Sequence, residues 1–425
     1  MQKSIPFTLQ DAISWRQRFG TPIYVYDEAG IRKTVETVQK AFSWNKGFTE
    51  CFAVKATPTP AIIRLLASMG CGTDCASVSE LVLSASSGLS GRKVVLTSNE
   101  TSDEAYRRAV AIGAIVNLDD ITQIENLERA TGIPNTVCLR YNPGSFVING
   151  KDATSSIMGS QADSKYGMTK NQLFEAYRIL KEKGVKHFGL HCMAASCSLE
   201  PSYYPTLAEM MFNIVVEIHD ALGIDIEITD FGGGIGIPYR PEHEPVDILS
   251  IGNEVHKVYD RIIGPTGLEV AIYTELGRFI TGPHGYLVTS VRGFKHIYKE
   301  YIGVDATACD LMRPAMYGAY HHITVLGKEG SELKVDVCGG LCENNDKFAI
   351  DRILPKAEMG DILVIHDAGA HGRSMGSMGY NYNGFLRCGE LLLSPQEDVK
   401  LIRRSESLDD LFATFDVDGD FSYDA

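Results

Sequence analysis

CFAVKATPTPAIIRLLASMGCGTDCA (residues 51–76) reads as strand, turn, helix and strand again. The apolar run at 51–54 is short, Thr57 and Pro58 break it, TPAIIRLLASMG has a helical pattern, and GCGTDCA resumes the extended pattern. A strand, a helix and a strand at this spacing make a parallel βαβ unit. The alternation continues through KVVLTS (93–98), AIVNLD (114–119), TVCLRY (136–141), HFGLHCMA (187–194), IEITDFGG (226–233) and VAIYTELG (270–277). Helical patterns such as SDEAYRRAVAIG and NQLFEAYRILKEKG lie between most of these runs. Eight such units in about 250 residues is the arithmetic of a (β/α)8 barrel, with a doubly wound open sheet as the alternative.

The expected barrel covers 29–278. After about residue 280 the texture changes to GYLVTSVRGF, HHITVLG, ELKVDVCG and DILVIHDAG, alternating segments that predict antiparallel strands. TPIYVYD (21–27) has the same character and is expected to join them, so that 1–28 and 279–425 form one discontinuous β-rich domain.

The 425 residues are 44% hydrophobic and 22% charged, as in a soluble globular protein of two domains. A net charge of −14 argues against nucleic acid or an anionic membrane surface as partner. No run of 18 apolar residues predicts a membrane-spanning helix, and the N-terminal MQKSIPFTLQDAISWRQRF, interrupted by Asp11, does not read as a signal peptide. Most of the ten cysteines lie in apolar runs, the pattern of reduced thiols in a cytoplasmic protein. Cys71/Cys75 and Cys338/Cys342 lack histidine partners at zinc spacing, so no metal is expected. The tail FDVDGDFSYDA lacks the spacing of a calcium loop and reads as a solvated acidic end.

Almost every run ends in a polar residue or glycine: Lys55, Asp74, Asn99, Arg140, the Met193–Ser196 stretch, Gly232–Gly234, and Glu275 to Arg278. In a barrel these ends meet at one mouth, where active sites sit. Lys55, flanked by apolar residues, reads as partly desolvated, a place where a lysine can become a neutral amine able to attack a carbonyl; taken alone, a lysine ending a strand is more often solvated or salt-bridged. Three successive glycines in FGGGIGIPY (231–239) expose amides that can wrap a phosphate, or simply make a tight turn. A dinucleotide reading fails, because no helix with the third required glycine follows. ELGR (275–278) adds a carboxylate and a guanidinium. The set suits pyridoxal phosphate, whose ring becomes an electron sink when a carboxylate keeps its nitrogen protonated.

The chain resembles the fold-type III pyridoxal-phosphate-dependent decarboxylases, and the diaminopimelate decarboxylases most closely. The matching motifs occur in family order from about residue 20 to 415: FAVKATP (52–58), DCASVSE (74–80), SKYG (164–167), DFGGGIGIPY (230–239), ELGR (275–278), RPAMYGAY (313–320), CENNDKFAIDRILP (342–355), DAGAHG (367–372) and NYNGF (381–385). The resemblance implies that Lys55 joins the cofactor's aldehyde and that Glu275 pairs with the ring nitrogen. Gly233, Gly234, Gly277, Arg278 and Ser196 would line the phosphate, and Arg278 would also reach substrate. Asp74, Glu80 and Arg140 would support the ring. Cys342 would return a proton to Cα, Glu343 would read a distal amine, and Arg313 with Tyr317 would bind a distal carboxylate. It also implies a homodimer, with Cys342 and Glu343 entering the site from the neighbouring subunit. Four positions depart from the family: Met193 stands for the histidine stacked on the ring, His371 for a cofactor-contacting tyrosine, Thr57 for asparagine, and Leu276 within the usual EPG.

Charge then selects the substrate. Where ornithine enzymes carry an aspartate for a distal cation, this chain has Pro314 beside Arg313. A guanidinium repels a cation but pairs bidentately with a carboxylate. Arg313 with Glu343 matches a distal end bearing carboxylate and ammonium, as meso-2,6-diaminopimelate has, and L-lysine is the expected product. The alternatives are decarboxylation of ornithine, lysine, arginine or a carrier-bound glutamyl substrate, an amino-acid racemase, and a non-enzymatic homologue.

Overall fold

The computed structural model describes residues 3–152, 160–376, 383–395 and 398–416. Residues 381–382 of the NYNGF motif and the acidic tail from residue 417 lie outside the described residues. The chain divides into two units, one of Arg32–Pro238 and Glu244–Ile280, the other of Met1–Ile31, Tyr239–His243 and Thr281–Ala425.

All eight predicted barrel runs form strands. After β1 (Ile23–Asp27), they are β2 (Thr49–Ala53), β3 (Gly72–Cys75), β4 (Val94–Ser98), β5 (Ile115–Leu118) and β6 (Thr136–Arg140), then, past a short ribbon of β7 (Val147–Ile148) and β8 (Lys151–Asp152), β9 (His187–His191), β10 (Ile226–Asp230) and β11 (Ala271–Thr274). They close in the order β10-β11-β2-β3-β4-β5-β6-β9, every pair parallel. Buried helices must follow strands that are buried on both faces, and the burial patterns of β2, β3 and β5 are unbroken. Side chains from six of the eight strands pack as one cluster: Cys51, Val95, Ile115, Cys138, Ile228 and Tyr273. Burial pushes the thiols of Cys51 and Cys138 far above their ordinary range, so both are inert small hydrophobes.

In the second unit β1 does join the C-terminal strands. It pairs antiparallel with β12 (Gly285–His296), Tyr24 opposite Leu287, and parallel with β18 (Gly389–Leu393), Val25 opposite Leu391. The sheet runs β16-β15-β13-β12-β1-β18-β19, with β13 (Glu300–Val304), β15 (Glu332–Cys338), β16 (Lys347–Pro355) and β19 (Lys400–Arg403), while β17 (Ile362–Ile365) pairs β12 and β14 (Ile323–Val325). The expectation of antiparallel strands needs one correction: β1–β18 and β13–β15 are parallel, so the sheet is mixed. Both pairs join strands far apart in the chain, where no hairpin dictates direction. Phe7, Trp15, Ile23, Val25, Tyr286, Val288, Val364 and Leu391 make the core of this unit, covered by helix Leu9–Phe19, whose Thr8–Asp11 capping box sets its start. Asp11 is therefore a helix cap.

Candidate active site

Lys55 occupies a single 3-10 turn, Val54–Ala56, just past β2. β2 pairs with β3 in the register Ala53–Asp74, which brings Asp74 Oδ2 to 3.2 Å from Lys55 Nζ. Of the two readings of Lys55, the geometry is that of the salt-bridged lysine. The Asp74 charge outweighs burial, Glu275 and Glu80 add to it, and the ammonium is held well above its ordinary range. The side chain is 55% accessible although protein groups ring it on almost every side, because it faces the barrel mouth. Asp74 itself shifts the other way from a simple ion-pair partner: burial and Glu275 push its carboxyl up to about 7 against the pull of Lys55. The pair is thus a firmly charged lysine beside a carboxyl that takes its proton near neutrality.

Glu275 ends the last barrel strand. Burial alone would raise it, but His191, Lys55 and Arg140 hold the carboxyl down to about 2. His191 Nε2 lies 3.5 Å from Glu275 Oε2, at the long limit of an ion pair, and burial holds the imidazole below its ordinary range. Asp230 shares this corner: ligand atoms of His191, Asp230 and Glu275 all lie within 4.8 Å of one another. Burial and then Glu275 push Asp230 well up, so it carries a proton where Glu275 does not. Among the described residues, the buried Glu275 Oε1 has no hydrogen-bond partner. A buried, ionised carboxylate with one unmatched oxygen is the group that a protonated ring nitrogen requires.

The glycine turn follows β10. Gly232 N donates to Asp230 Oδ1 at 2.9 Å, Gly236 N to the Ser198 carbonyl at 2.7 Å, and Ser198 N to the Gly234 carbonyl at 2.8 Å. The amides of Gly233 and Gly234 have no acceptor among the described residues, which suits an anion. Side chains are excluded here: a methyl on Gly233 would lie 2.6 Å from the Glu275 carbonyl oxygen. At Gly234, with φ +100°, it would lie 2.6 Å from the Ala195 oxygen and 2.7 Å from the Tyr203 ring. Met193 lies against this turn, its Sδ 3.0 Å from where a Gly232 Cβ would stand. Ser196 is half-buried three residues on.

Other predicted residues already have partners. Glu80 Oε2 accepts the Ala76 amide at 2.5 Å, and burial raises its carboxyl. Arg140 Nη1 bonds Asp119 Oδ1 at 3.1 Å, both nearly fully buried, and its guanidinium lies 4.4 Å above the Tyr166 ring of the SKYG motif. Leu276, where the family has proline, donates its amide to Glu50 Oε1 at 2.8 Å, a bond proline has no proton to make. Gly277 is pressed on Ala56, 2.7 Å from a would-be Cβ, and Arg278 opens a short helix to Thr281.

In the second unit Arg313 is 5% exposed, Tyr317 is exposed, and both belong to helix Arg313–Tyr317. Cys342 is exposed, the one cysteine of the ten that is, and its amide donates to Asn383 Oδ1 at 2.9 Å. Glu343 Oε1 accepts the Asn345 amide at 3.0 Å. His371 has a positive φ of 51°.

Sequence reasoning missed several members of the barrel-end group. Tyr204 Oη donates to the Gly232 carbonyl at 2.8 Å, and Tyr203 Oη accepts the Ala195 amide at 3.2 Å. They sit on helix Tyr203–Leu222, with no local signal of the turn they brace. Asp119 did carry a signal, since it ends the AIVNLD run, whereas His191 and Asp230 lie inside their runs and end strands only in the fold.

Residues 28–282 match the family model described as pyridoxal-dependent decarboxylase, pyridoxal binding domain. The chain is 38% identical over 405 residues to Protein TabA of Pseudomonas amygdali pv. tabaci, covering 95% of this chain and 93% of that one. It is 34% identical to the diaminopimelate decarboxylase of Methanothermobacter thermautotrophicus, covering 94% and 93%. The crystal structure of the M. jannaschii diaminopimelate decarboxylase superposes with a TM-score of 0.89 at 30% identity, covering 96% of this chain and 94% of that one. Family match, barrel and ionised Glu275 agree: the chain belongs to the pyridoxal-dependent decarboxylases, carboxy-lyases that work with pyridoxal phosphate.

Proposed function

We propose that the protein decarboxylates meso-2,6-diaminopimelate to L-lysine and carbon dioxide. The observation that carries this reading is Arg313, a guanidinium 5% exposed in the motif RPAMYGAY, where an enzyme for a distal cation would need an acid. The reading is supported by the names of relatives at 33–34% identity over more than nine-tenths of this chain, and by the M. jannaschii structure in co-complex with L-lysine. That product keeps the distal carboxylate of the substrate.

Pyridoxal phosphate supplies an electron sink for the pair left when the carboxylate departs. In this reading Lys55 would hold the cofactor's aldehyde carbon, and Asp74 would keep the Lys55 nitrogen placed before the cofactor is joined to it. Glu275 keeps a proton on the ring nitrogen. Gly233, Gly234, Gly277, Ser196 and Arg278 hold the phosphate, with His371 as a further donor. Met193 covers a ring face with its polarizable sulfur. Glu80 and Arg140 stiffen the two sides of the barrel end through Ala76 and Asp119. Arg313 and Tyr317 bind the distal carboxylate and Glu343 the distal ammonium. The Cα–carboxylate bond breaks, and the Cys342 thiol delivers the proton that replaces it. The assembly is a homodimer and its compartment the cytoplasm, where the ten free cysteines stay reduced.

Met193 and His371, both departures from the family, favour one second reading, decarboxylation of a different amino acid with a distal carboxylate. The test is carbon dioxide release from meso-diaminopimelate, ornithine, lysine and arginine in competition. Preference for meso-diaminopimelate with L-lysine as product is expected; preference for ornithine or lysine overturns the reading.

A further inference from the structure

The connection 339–346 joins β15 to β16 and carries Cys342 and Glu343. A hairpin loop of this length takes its shape from the groups that satisfy its backbone. Asp346, 2% exposed, accepts the Leu341 amide on Oδ2 at 2.8 Å and the Ala308 amide on Oδ1 at 2.7 Å. Its carbonyl accepts the Gly339 amide at 3.0 Å, and its own amide donates to the Glu343 carbonyl at 3.0 Å. Bonds from amides to a carboxylate are stronger than those between neutral groups. The carboxyl group also lies close against the turn. A methyl on Gly339 would stand 2.7 Å from Asp346 Oδ1 and 2.6 Å from the Ala306 carbonyl oxygen.

Ala308 belongs to a different element. It lies in the turn 307–310, where the Asp310 amide bonds the Thr307 carbonyl at 2.9 Å, and helix Arg313–Tyr317 follows with Met312 as its N-cap. Ala308, Cys309 and Leu341 also pack as one apolar cluster, and Ala315 of that helix lies against it. Of the two amides that meet on Asp346, one precedes Cys342 in the chain and the other leads toward Arg313. A carboxyl group that grips both fixes the distance between them. We propose that Asp346 is a positioning residue: it sets the Cys342–Glu343 turn against the segment that opens the Arg313 helix, so that thiol, carboxylate and guanidinium are placed as one unit. This deepens the reading of those three residues given above and rests on it.

The test uses the holoenzyme and reads kcat, the L-lysine inhibition constant and pyridoxal phosphate affinity. Asp346→Asn keeps one acceptor oxygen but turns an NH2 group toward a backbone N–H. Gly339→Ala displaces the carboxyl group without altering its chemistry. Each is expected to lower kcat and to weaken L-lysine by about 10- to 100-fold, the scale of an ångström's misplacement. Pyridoxal phosphate affinity is expected to stay within about twofold, as for distant, independent sites. Double-mutant cycles separate positioning from general loss of structure. Once Cys342→Ser is present, Asp346→Asn should cost less than about threefold in kcat, and once Arg313→Ala and Glu343→Gln are present, less than about threefold in L-lysine affinity. Full additivity in both cycles overturns the positioning role. So does an unchanged kcat and L-lysine affinity in Asp346→Asn and Gly339→Ala while Cys342→Ser and Arg313→Ala keep their effects; the site reading then stands. If Cys342→Ser leaves kcat unchanged and Arg313→Ala leaves L-lysine affinity unchanged, the site reading falls and the inference with it. Should Asp346→Asn fail to fold, the same cycles with Gly339→Ala decide.

Discussion

A single methyl group at Gly234 tests whether the glycine turn is built by close packing. In Gly234→Ala the new Cβ would stand 2.6 Å from the Ala195 carbonyl oxygen and 2.7 Å from Tyr203 Cε1 and Oη. Neither neighbour yields easily. The first is backbone, and the second is a ring 1% exposed whose hydroxyl accepts the Ala195 amide at 3.2 Å. The backbone at φ +100° is a conformation that L-residues avoid, at a cost of about 1–2 kcal/mol. Overpacking adds about 1–3 kcal/mol. Together these predict a loss of about 2–5 kcal/mol, a fall in melting temperature of about 5–20 °C for a unit of this size. The relief route is to push the turn away from Ala195, so pyridoxal phosphate affinity should fall at least about tenfold. Differential scanning calorimetry of the holoenzyme and fluorescence titration of cofactor measure the two effects. Gly264→Ala is the control, since its methyl meets nothing within 4 Å; a change within about 0.5 kcal/mol is expected. An unchanged melting temperature and cofactor affinity in Gly234→Ala would refute the packing argument.

Lys55→Ala should abolish the near-visible absorbance of the lysine-bound cofactor and all decarboxylation; a retained band would remove Lys55 from its role. Asp74 gains its proton more readily in the folded chain, at about 7, than unfolded at about 3.9. Its contribution therefore favours the fold most below pH 4 and is lost as pH rises through 7, so Asp74→Asn should flatten the decline of melting temperature across that window. Asp119→Ala strands the buried guanidinium of Arg140 and removes the acceptor of the Gly167 amide, and should destabilise by about 3–5 kcal/mol in chemical denaturation. Cys342→Ser should lower kcat by about 10²- to 10⁴-fold with little change in KM; a kcat within twofold of wild type would show that the proton comes from elsewhere.

The barrel was legible because its strands are short runs buried over most of their length, and the helices between them repeat at 3.6 residues. The polar residue ending each run marked Lys55, Asp74, Arg140 and Glu275 for the same reason: a buried strand can end in a polar group only where it emerges. Direction in the second sheet was not legible. Alternation signals a strand but says nothing of the neighbour it meets, and β18 lies more than 360 residues after β1 in the chain.

Local pattern thus set the eight barrel strands, the glycine turn and the ordered motifs. What partners each polar group has was decided by strand register and by which helix lands beneath which turn. Lys55 illustrates the division. Its apolar neighbours in sequence disfavour its charge, yet the Ala53–Asp74 register places a carboxyl group 3.2 Å away that favours it. Likewise only the folded chain puts the His366 carbonyl oxygen 2.9 Å from His321 Nδ1. Desolvation can be read along the chain, but Coulomb interactions act through space between residues that the chain itself keeps far apart.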